Sequence, residues 1–513
     1  MMSRARPEIL LVTPPYHSGV VESAGSWLPL GLLYVGGALQ QAGYGVALYD
    51  AMTRFHTLDQ VRETLRRERP DAVFVSCITA TVLDGIEVCR VAKEEAPGTL
   101  TVLGNTHPSF MFDEVLNGHP EVDVIVRDEG EITSVELIEA WRTGADLSRV
   151  RGIAFRQEDR VVATPRCEFI VNLDPLEPAW NLVPWKEYTY RPKPGSILAV
   201  VSSSRGCKQH CSFCSQRLFW KESWRAVSAE HFVDQIQMLR DRHGVNVAMI
   251  ADEIPTLDQK RWVKILDLLI ERQLGTSLLL ETRVDDIVRD EALMPRYRQA
   301  GIEHVYVGVE SVNQATLDLY KKDAKVEQGK RAIELINGHN MISETSFVMG
   351  MPHETKEEMQ RTIDLSKYYD PDMAFFLAIT PWPYADLYQD VKDHIVSRDY
   401  RKYNLIEPVI KPINMTVDEV RSELFRGFRD FYMNKMNHFH SLPPWKQEFM
   451  KSLMKLLMEH SYLKEQMAGL KMPEGMNDPA EVFNLESKCP IQRIKKFFKP
   501  NPKPKRITVE VAT

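Results

Sequence analysis

No uninterrupted apolar segment in the chain approaches the roughly 18 residues of a membrane span, which argues against an integral membrane protein. Cysteine is scarce too, at seven in 513 residues. Four of these, Cys77, Cys89, Cys167 and Cys489, are scattered, which does not fit a disulfide-stapled secreted scaffold and predicts a reducing cytoplasm. No surplus of positive charge exists: 64 basic against 71 acidic residues give a net charge of −7, so nucleic acid is not an expected partner. The opening MMSRARPEILLVTPP has a short apolar run ending in prolines and does not read as a secretory signal. A chain of this length exceeds one ordinary core, so two or three domains are expected.

Within residues 1–145, short apolar runs alternate with helical stretches. The runs are ILLVT, VALYD, AVFVSC, TVLG and VDVIV, and their spacing predicts an open parallel α/β sheet. Ligands of such sheets sit beyond the carboxyl ends of the strands. There the chain places TPPYHSG with His17, SCITAT with Ser76 and Thr79, GNTHPSF with Gly104, Asn105, Thr106 and His107, and RDEGEITS with Glu129 and Gly130. Small and hydroxyl residues in tight turns let backbone approach a flat or phosphate-bearing ligand. Residues 146–194, rich in Pro and Trp, are expected to form a linker. From 195 to 400 six further strand-like runs, ILAVVSSSRG, VAMIADE, LLLETRVDD, HVYVGVES, ETSFVMGMP and DMAFFLAITP, predict a partial parallel barrel. Residues 401–490 read as helical, with methionines at core spacing. The basic segment 491–513 reads as a solvated tail, with attachment to an anionic membrane or an acidic electron donor as the alternative.

Three cysteines, Cys207, Cys211 and Cys214, crowd into SSSRGCKQHCSFCSQRLFW, Ser202 to Trp220, just after the first barrel run. Thiolates hold zinc or iron–sulfur clusters. A structural zinc calls for a second Cys or His pair at finger-like spacing, and none follows; His210 adjoins Cys211 and is poorly placed to chelate beside it. A four-iron cluster usually takes four thiolates, so three leave one iron open, which is the logic of a catalytic site.

This CxxxCxxC spacing resembles that of the radical S-adenosylmethionine superfamily. The resemblance implies a [4Fe-4S] cluster whose open iron is chelated by the amino and carboxylate groups of S-adenosylmethionine. It implies further that Phe213 lies near the adenine and that ADEIP, with Asp252 and Glu253, holds the methionine amine. Arg283 in ETRVDD, Glu310 in VGVES and Gly350 in VMGMP are implied to meet the carboxylate, the ribose and the adenine. The bland alternative is that Arg283 and Glu310 satisfy one another. The N-terminal sheet resembles the cobalamin-binding domain that precedes the barrel in one large subgroup. VLGNTH and VRDEGE match its turn segments, with Asn105 and Asp128 replacing two glycines. His17, Ser76, Thr79, Gly104, Asn105, Thr106, His107, Glu129 and Gly130 are thereby implied as cobalamin contacts. Met52 in YDAMTRF stands where a cobalt-ligating histidine would be, so that lower ligand is expected to be missing, with His17 and His107 as turn or corrin-contact residues.

Over residues 8 to 440 the segments YHSG, GSW, YDAMT, CSFCSQRLFW, ADEIPT, TRVDDI, TPWPYADLY, KYNLIEPVIKP and MNK are similar to those of the anaerobic magnesium-protoporphyrin IX monomethyl ester oxidative cyclases. The implied activity is closure of the isocyclic ring of a magnesium porphyrin without molecular oxygen, with water as oxygen donor and reduced ferredoxin or flavodoxin as electron donor. The alternatives are a cobalamin-dependent radical methyltransferase acting on unactivated carbon, a cobalamin sensor and an iron–sulfur scaffold. Trp220, Trp382 and Tyr384 are candidates to stack on a flat substrate, while His353 reads equally as a substrate contact or a helix cap.

Overall fold

The computed structural model describes residues 8–17 and 25–460; Cys489 and the basic segment 491–513 lie outside the described residues. Two parallel sheets organise the chain. The first contains β1 (Glu8–Thr13), β2 (Gly45–Asp50), β3 (Ala72–Ser76), β4 (Leu100–Gly104) and β5 (Val124–Val126), followed by β6 (Ile153–Gln157) and β7 (Arg160–Ala163). Its order is β2-β1-β3-β4-β5-β6-β7. The runs β1, β3 and β4 are almost wholly buried because helices cover both faces, which is why they read as continuous Val, Leu and Ile rather than as an alternation. Strand order reverses at β1, between β2 and β3, and this opens a crevice at their carboxyl ends.

The expected boundary at residue 145 is too early. Strands β6 and β7 pair antiparallel to each other, and β6 to β5, so the sheet continues to Ala163. The turn between them is Glu158 and Asp159, with Glu158 at φ 54°; lacking the usual Asn-Gly or Gly, it leaves no hairpin signature in the sequence. The segment that follows is a fastening rather than a free tether. Trp180, Tyr188 and Tyr190 are buried. The Tyr188 hydroxyl donates to Asp50 of β2 at 2.7 Å, and the Tyr190 hydroxyl meets Nδ1 of His304 in the barrel at 2.7 Å. Each sheet is thus held by one tyrosine of the same segment.

The second sheet contains β8 (Leu198–Val201), β11 (Val247–Ile250), β12 (Ser277–Arg283), β13 (Ile302–Glu310), β14 (Ile342–Met349) and β15 (Met373–Ala378), while the two-residue strands β9 (Ser204–Arg205) and β10 (Arg225–Ala226) form a separate antiparallel ribbon. The six main strands run in the order β15-β14-β13-β12-β11-β8, all parallel, with β8 and β15 as edges: an open (β/α)6 barrel. Alternate residues of each strand point into the lumen. Glu281, Tyr306 and Glu344 lie side by side in register on β12, β13 and β14. The outward residues join the core with Trp262, Phe232 and Tyr297, all fully buried.

Beyond β15 the chain forms only the short helix Leu387–Val391 and two 3-10 turns before the helix Val417–Asn437, whose start is fixed by a capping box between Thr416 and Glu419. Gly427 is what lets this helix reach β15, because a Cβ there would sit 2.6 Å from the Phe376 ring. The helix Pro444–His460 completes the helical region. No helix among the described residues is long and apolar enough to cross a membrane.

Candidate active site

The cysteine loop leaves β8 through Ser202–Gly206. Asp252, just past β11, accepts from the Ser203 backbone N–H at 2.8 Å, the Ser203 hydroxyl at 2.6 Å and the Ser204 hydroxyl at 2.7 Å. It is almost fully buried, and burial raises its pKa against the pull of those donors. Asp252 is therefore committed to the loop. Glu253 beside it accepts from Gly206 N–H at 3.1 Å and from Trp220 Nε1 at 2.8 Å, closing the loop at both ends. Gly206 has φ +106°, and a Cβ would meet the Ser223 carbonyl oxygen at 2.1 Å, so only glycine fits before the first cysteine.

Cys207, Cys211 and Cys214 lie in this loop, partly exposed and free of disulfide bonds. Ser212 between them donates its N–H to the Tyr320 carbonyl and accepts from Leu387 N–H, each at 2.8 Å, so the loop is tied to the segments after β13 and β15. Phe213 packs edge-on against Tyr320 at 5.2 Å. Burial raises all three thiol pKa values, that of Cys214 to about 12. Lys322 and Arg283 oppose this at Cys211, whereas Glu253 reinforces it at Cys207 and Cys214. Among the described residues no three His, Cys, Asp or Glu side chains converge on one metal ion.

Arg283 ends β12, its Nε and Nη2 held by Asp285 at 2.8 and 3.1 Å, with Nη2 also on the Asp323 carbonyl. Glu310 ends β13 at φ 61°, a left-handed backbone that costs about 1–3 kcal/mol. A charge-assisted bond from Lys322 Nζ at 2.7 Å, worth about 1.5–3 kcal/mol, offsets it, and Ser346 donates to the other oxygen at 3.1 Å. Arg283 and Glu310 thus have separate partners and do not neutralise each other. Gly350, after β14 at φ +95°, donates to half-buried Glu354, whose pKa is raised to about 7 by desolvation. Deeper in the lumen, Glu281 is reached by solvent yet ringed by protein; that enclosure, with Glu344 and Glu253 adding like charge, lifts its pKa to about 7. Neither Glu281 nor Lys322 carries a motif that would have picked it out of the sequence.

A cleft of about 380 Å³ separates the mouth of the barrel from the crevice of the first sheet. Ser76, Gly104, Asn105, Thr106, Glu129 and Gly130 line one side; Phe219, Trp220 and Glu253 of the barrel side line the other. Trp220 and Glu253 therefore face the cleft and hold the cysteine loop at once. Its sheet wall joins apolar Leu32, Val35, Val102 and Val126 to the carboxylates of Asp128, Glu129 and Glu131, and carries a buried Ser134 hydroxyl that has no partner among the described residues. Such a wall fits a large flat ligand bearing hydrogen-bonding substituents, as a corrin does.

Three expected cobalamin contacts, His17, Thr79 and His107, do not line this cleft. His17 stacks on Phe55 at 4.5 Å. Thr79 and His107 bond to each other at 3.1 Å beneath the wall, and Thr79 also meets the Tyr384 hydroxyl at 2.7 Å. His107 is fully buried, and desolvation lowers its pKa to about 3, so it is neutral. Its role there is to orient Tyr384, whose ring stacks on Phe110 at 4.6 Å; Phe110 meets Phe219 at 6.3 Å, and Phe219 meets Trp220 at 4.9 Å. This aromatic wall takes in Trp220 and Tyr384, whereas Trp382 has no ring contact in it. Phe110 and Phe219 were missed because nothing in sequence joins residues so far apart.

Comparison with known proteins gives the same division. Residues 16–138 match the B12 binding domain and residues 201–366 the radical SAM superfamily. The chain is 39% identical to the anaerobic magnesium-protoporphyrin IX monomethyl ester cyclase of Rubrivivax gelatinosus, across 83% of this chain and 78% of that one. Identity is 38% to the enzyme of the same name from Cereibacter sphaeroides, across 85% and 72%. The fold matches that of the radical S-adenosylmethionine methyltransferase TsrM from Kitasatospora setae, solved with cobalamin and a [4Fe-4S] cluster, with TM-score 0.62 at 18% identity over 82% of this chain and 85% of that one. The chain is a cobalamin-dependent radical S-adenosylmethionine enzyme and belongs to the anaerobic magnesium-protoporphyrin IX monomethyl ester cyclase family.

Proposed function

We propose that this enzyme closes the isocyclic ring of magnesium-protoporphyrin IX monomethyl ester without oxygen, in the cytoplasm, as a step of bacteriochlorophyll biosynthesis. The observation that carries this reading is the cleft joining the sheet crevice to the residues that flank the cysteines, Ser202 to Arg205 and Gln216 to Trp220, in a chain 39% identical to a cyclase over most of its length. In it, the unit formed by the first sheet serves cobalamin, the barrel from 195 to 400 serves S-adenosylmethionine, and the helical unit from 401 to 490 braces the barrel.

Cys207, Cys211 and Cys214 hold three irons of a [4Fe-4S] cluster. S-adenosylmethionine at the fourth iron supplies, on one-electron reduction, a radical that takes hydrogen from an unactivated carbon. The chain's own residues position and exclude water. Arg283, whose Nε and Nη2 are bonded and whose Nη1 makes no hydrogen bond among the described residues, meets the methionine carboxylate, Glu253 the amine and Glu310 the ribose hydroxyls, with Phe213 and Gly350 beside the adenine. Ser76, Gly104, Asn105, Thr106, Glu129 and Gly130 border the corrin. Tyr384, held by Thr79 and His107, forms with Phe110, Phe219 and Trp220 the aromatic surface against which the porphyrin packs, Tyr384 and Phe110 stacked and the other rings edge-on.

Reduced ferredoxin or flavodoxin is the donor this reading requires, and exposed Lys208, His210 and Lys221 around the cysteine loop suit an acidic partner. The basic segment 491–513 is read as an attachment to that donor or to an anionic membrane. Deleting it should lower vesicle co-sedimentation or turnover, and no change in either sinks that part of the reading.

The test is product mass after anaerobic incubation of reconstituted protein with magnesium-protoporphyrin IX monomethyl ester in ¹⁸O-water. A product with fewer hydrogens and one ¹⁸O is expected. A product heavier by one methylene would instead make the enzyme a methyltransferase, and unchanged porphyrin would refute this substrate.

A further inference from the structure

Asp128 occupies the turn between β5 and the helix Glu131–Thr143, where cobalamin-binding segments that this chain resembles have glycine. It keeps the glycine conformation, at φ +65°, and so carries its side chain under backbone strain. That side chain is 2% exposed and lines the cleft. Neither carboxylate oxygen accepts a hydrogen bond among the described residues. The cations nearest to it, Arg166 Nε at 3.4 Å and Lys221 Nζ at 3.6 Å, both approach Oδ2 at ion-pair range. One turn into the helix the Ser134 hydroxyl, also on the cleft wall, is buried without a partner. Glu129 next door shows the contrast: its carboxylate is filled by Arg205, Arg225 and the Ile170 N–H. Buried polar groups are nearly always paired, so a strained carboxylate whose Oδ1 has no partner among the described residues, and whose Oδ2 has only two cations at ion-pair range, points to a ligand that supplies a hydrogen bond.

We propose that Asp128 is the acceptor for a peripheral carboxamide of the corrin, with Oδ1 taking an amide N–H and the Ser134 hydroxyl serving the same substituent. The inference rests on the cobalamin reading of the cleft and extends it to specificity. A carboxylate accepts hydrogen bonds and donates none. It therefore suits a neutral amide and repels a corrin in which that amide has been hydrolysed to a second carboxylate.

The test compares full-length wild type, Asp128→Gly and Asp128→Asn. Dissociation constants for hydroxocobalamin and for its separated monocarboxylic acids are read from the absorbance change, and melting temperatures are measured without cobalamin. Asp128→Gly should melt at or above wild type, since the left-handed strain is gone, yet bind cobalamin about tenfold more weakly, the loss of one charge-assisted hydrogen bond. Wild type should prefer cobalamin to one of the acids by at least about tenfold, and both variants should lose that preference. Unchanged affinity and preference in Asp128→Gly would overturn the proposal. So would a lowered melting temperature with unchanged affinity, which would make Asp128 a latch for Arg166 and Lys221. Wild type that takes up no cobalamin at all would overturn the cobalamin reading and this inference together.

Discussion

The two walls of the cleft are built on opposite plans. On the barrel side, carboxylates do the fastening: Asp252 and Glu253 accept five hydrogen bonds between them from the cysteine loop, and Glu310 holds Lys322. On the sheet side the wall is mainly apolar or short side chains and strained turns; Glu129 and Glu131 pair with Arg205, but the Asp128 carboxylate and the Ser134 hydroxyl make no hydrogen bond among the described residues. The first plan fixes charged groups around a small, highly charged centre; the second clears area for a large neutral one. Substitutions on the two sides should therefore fail differently.

Replacing Cys207, Cys211 or Cys214 with Ala should have the largest effect, abolishing cluster absorbance and turnover while leaving cobalamin uptake near wild type. Ser76→Ala should do the reverse, weakening cobalamin binding with the iron content intact. If both substitutions depress both cofactors, the two walls do not act separately. Next comes Lys322→Met, which leaves Glu310 buried without its cation; about 3 kcal/mol of stability should be lost, together with affinity for S-adenosylmethionine, measured by denaturant titration and equilibrium binding. A variant as stable as wild type would show that Glu310 does not need the pair.

A smaller effect belongs to Glu281. Its folded pKa is raised from 4.5 to about 7, so between those values the folded state binds more protons than the unfolded chain, and stability falls as pH rises through that window. Glu281→Gln removes the dependence, and the gap between the two melting temperatures should open by about 2 °C from pH 5 to pH 8. Parallel curves would mean that Glu281 titrates normally. The smallest effect on cofactors is expected of His107→Ala. Because His107 lies under the wall and bonds Thr79, the electron paramagnetic resonance spectrum of bound cobalt(II) should be unchanged in its nitrogen coupling, and the melting temperature should fall instead.

The same contrast explains what the sequence disclosed. Strand runs and the Cys207–Cys211–Cys214 spacing were legible because periodicity and ligand type survive in one dimension. The six barrel runs all became strands of one sheet, and Arg283, Glu310 and Gly350 lie at strand ends as expected. Pairing was not legible. Asp252 and Glu253 look alike in sequence, yet one is spent on Ser203 and Ser204 while the other faces the cleft. The hairpin β6–β7 was hidden by a turn without glycine, and the segment after it by tyrosines whose partners, Asp50 and His304, lie more than a hundred residues away. His107 had the right residue type and the right strand end, but it sits in the first turn of the helix Thr106–Gly118, after Asn105 at φ 82°, with its ring under the wall beside Tyr384.

The central claim is that one cleft brings cobalamin and the cluster together, and spin coupling tests it most directly. In protein reconstituted with both and reduced to cobalt(II) and the paramagnetic cluster, the cobalt resonance should be broadened or split relative to the Cys211→Ala variant, which carries cobalamin alone. A spectrum equal to the sum of two isolated centres would contradict the account.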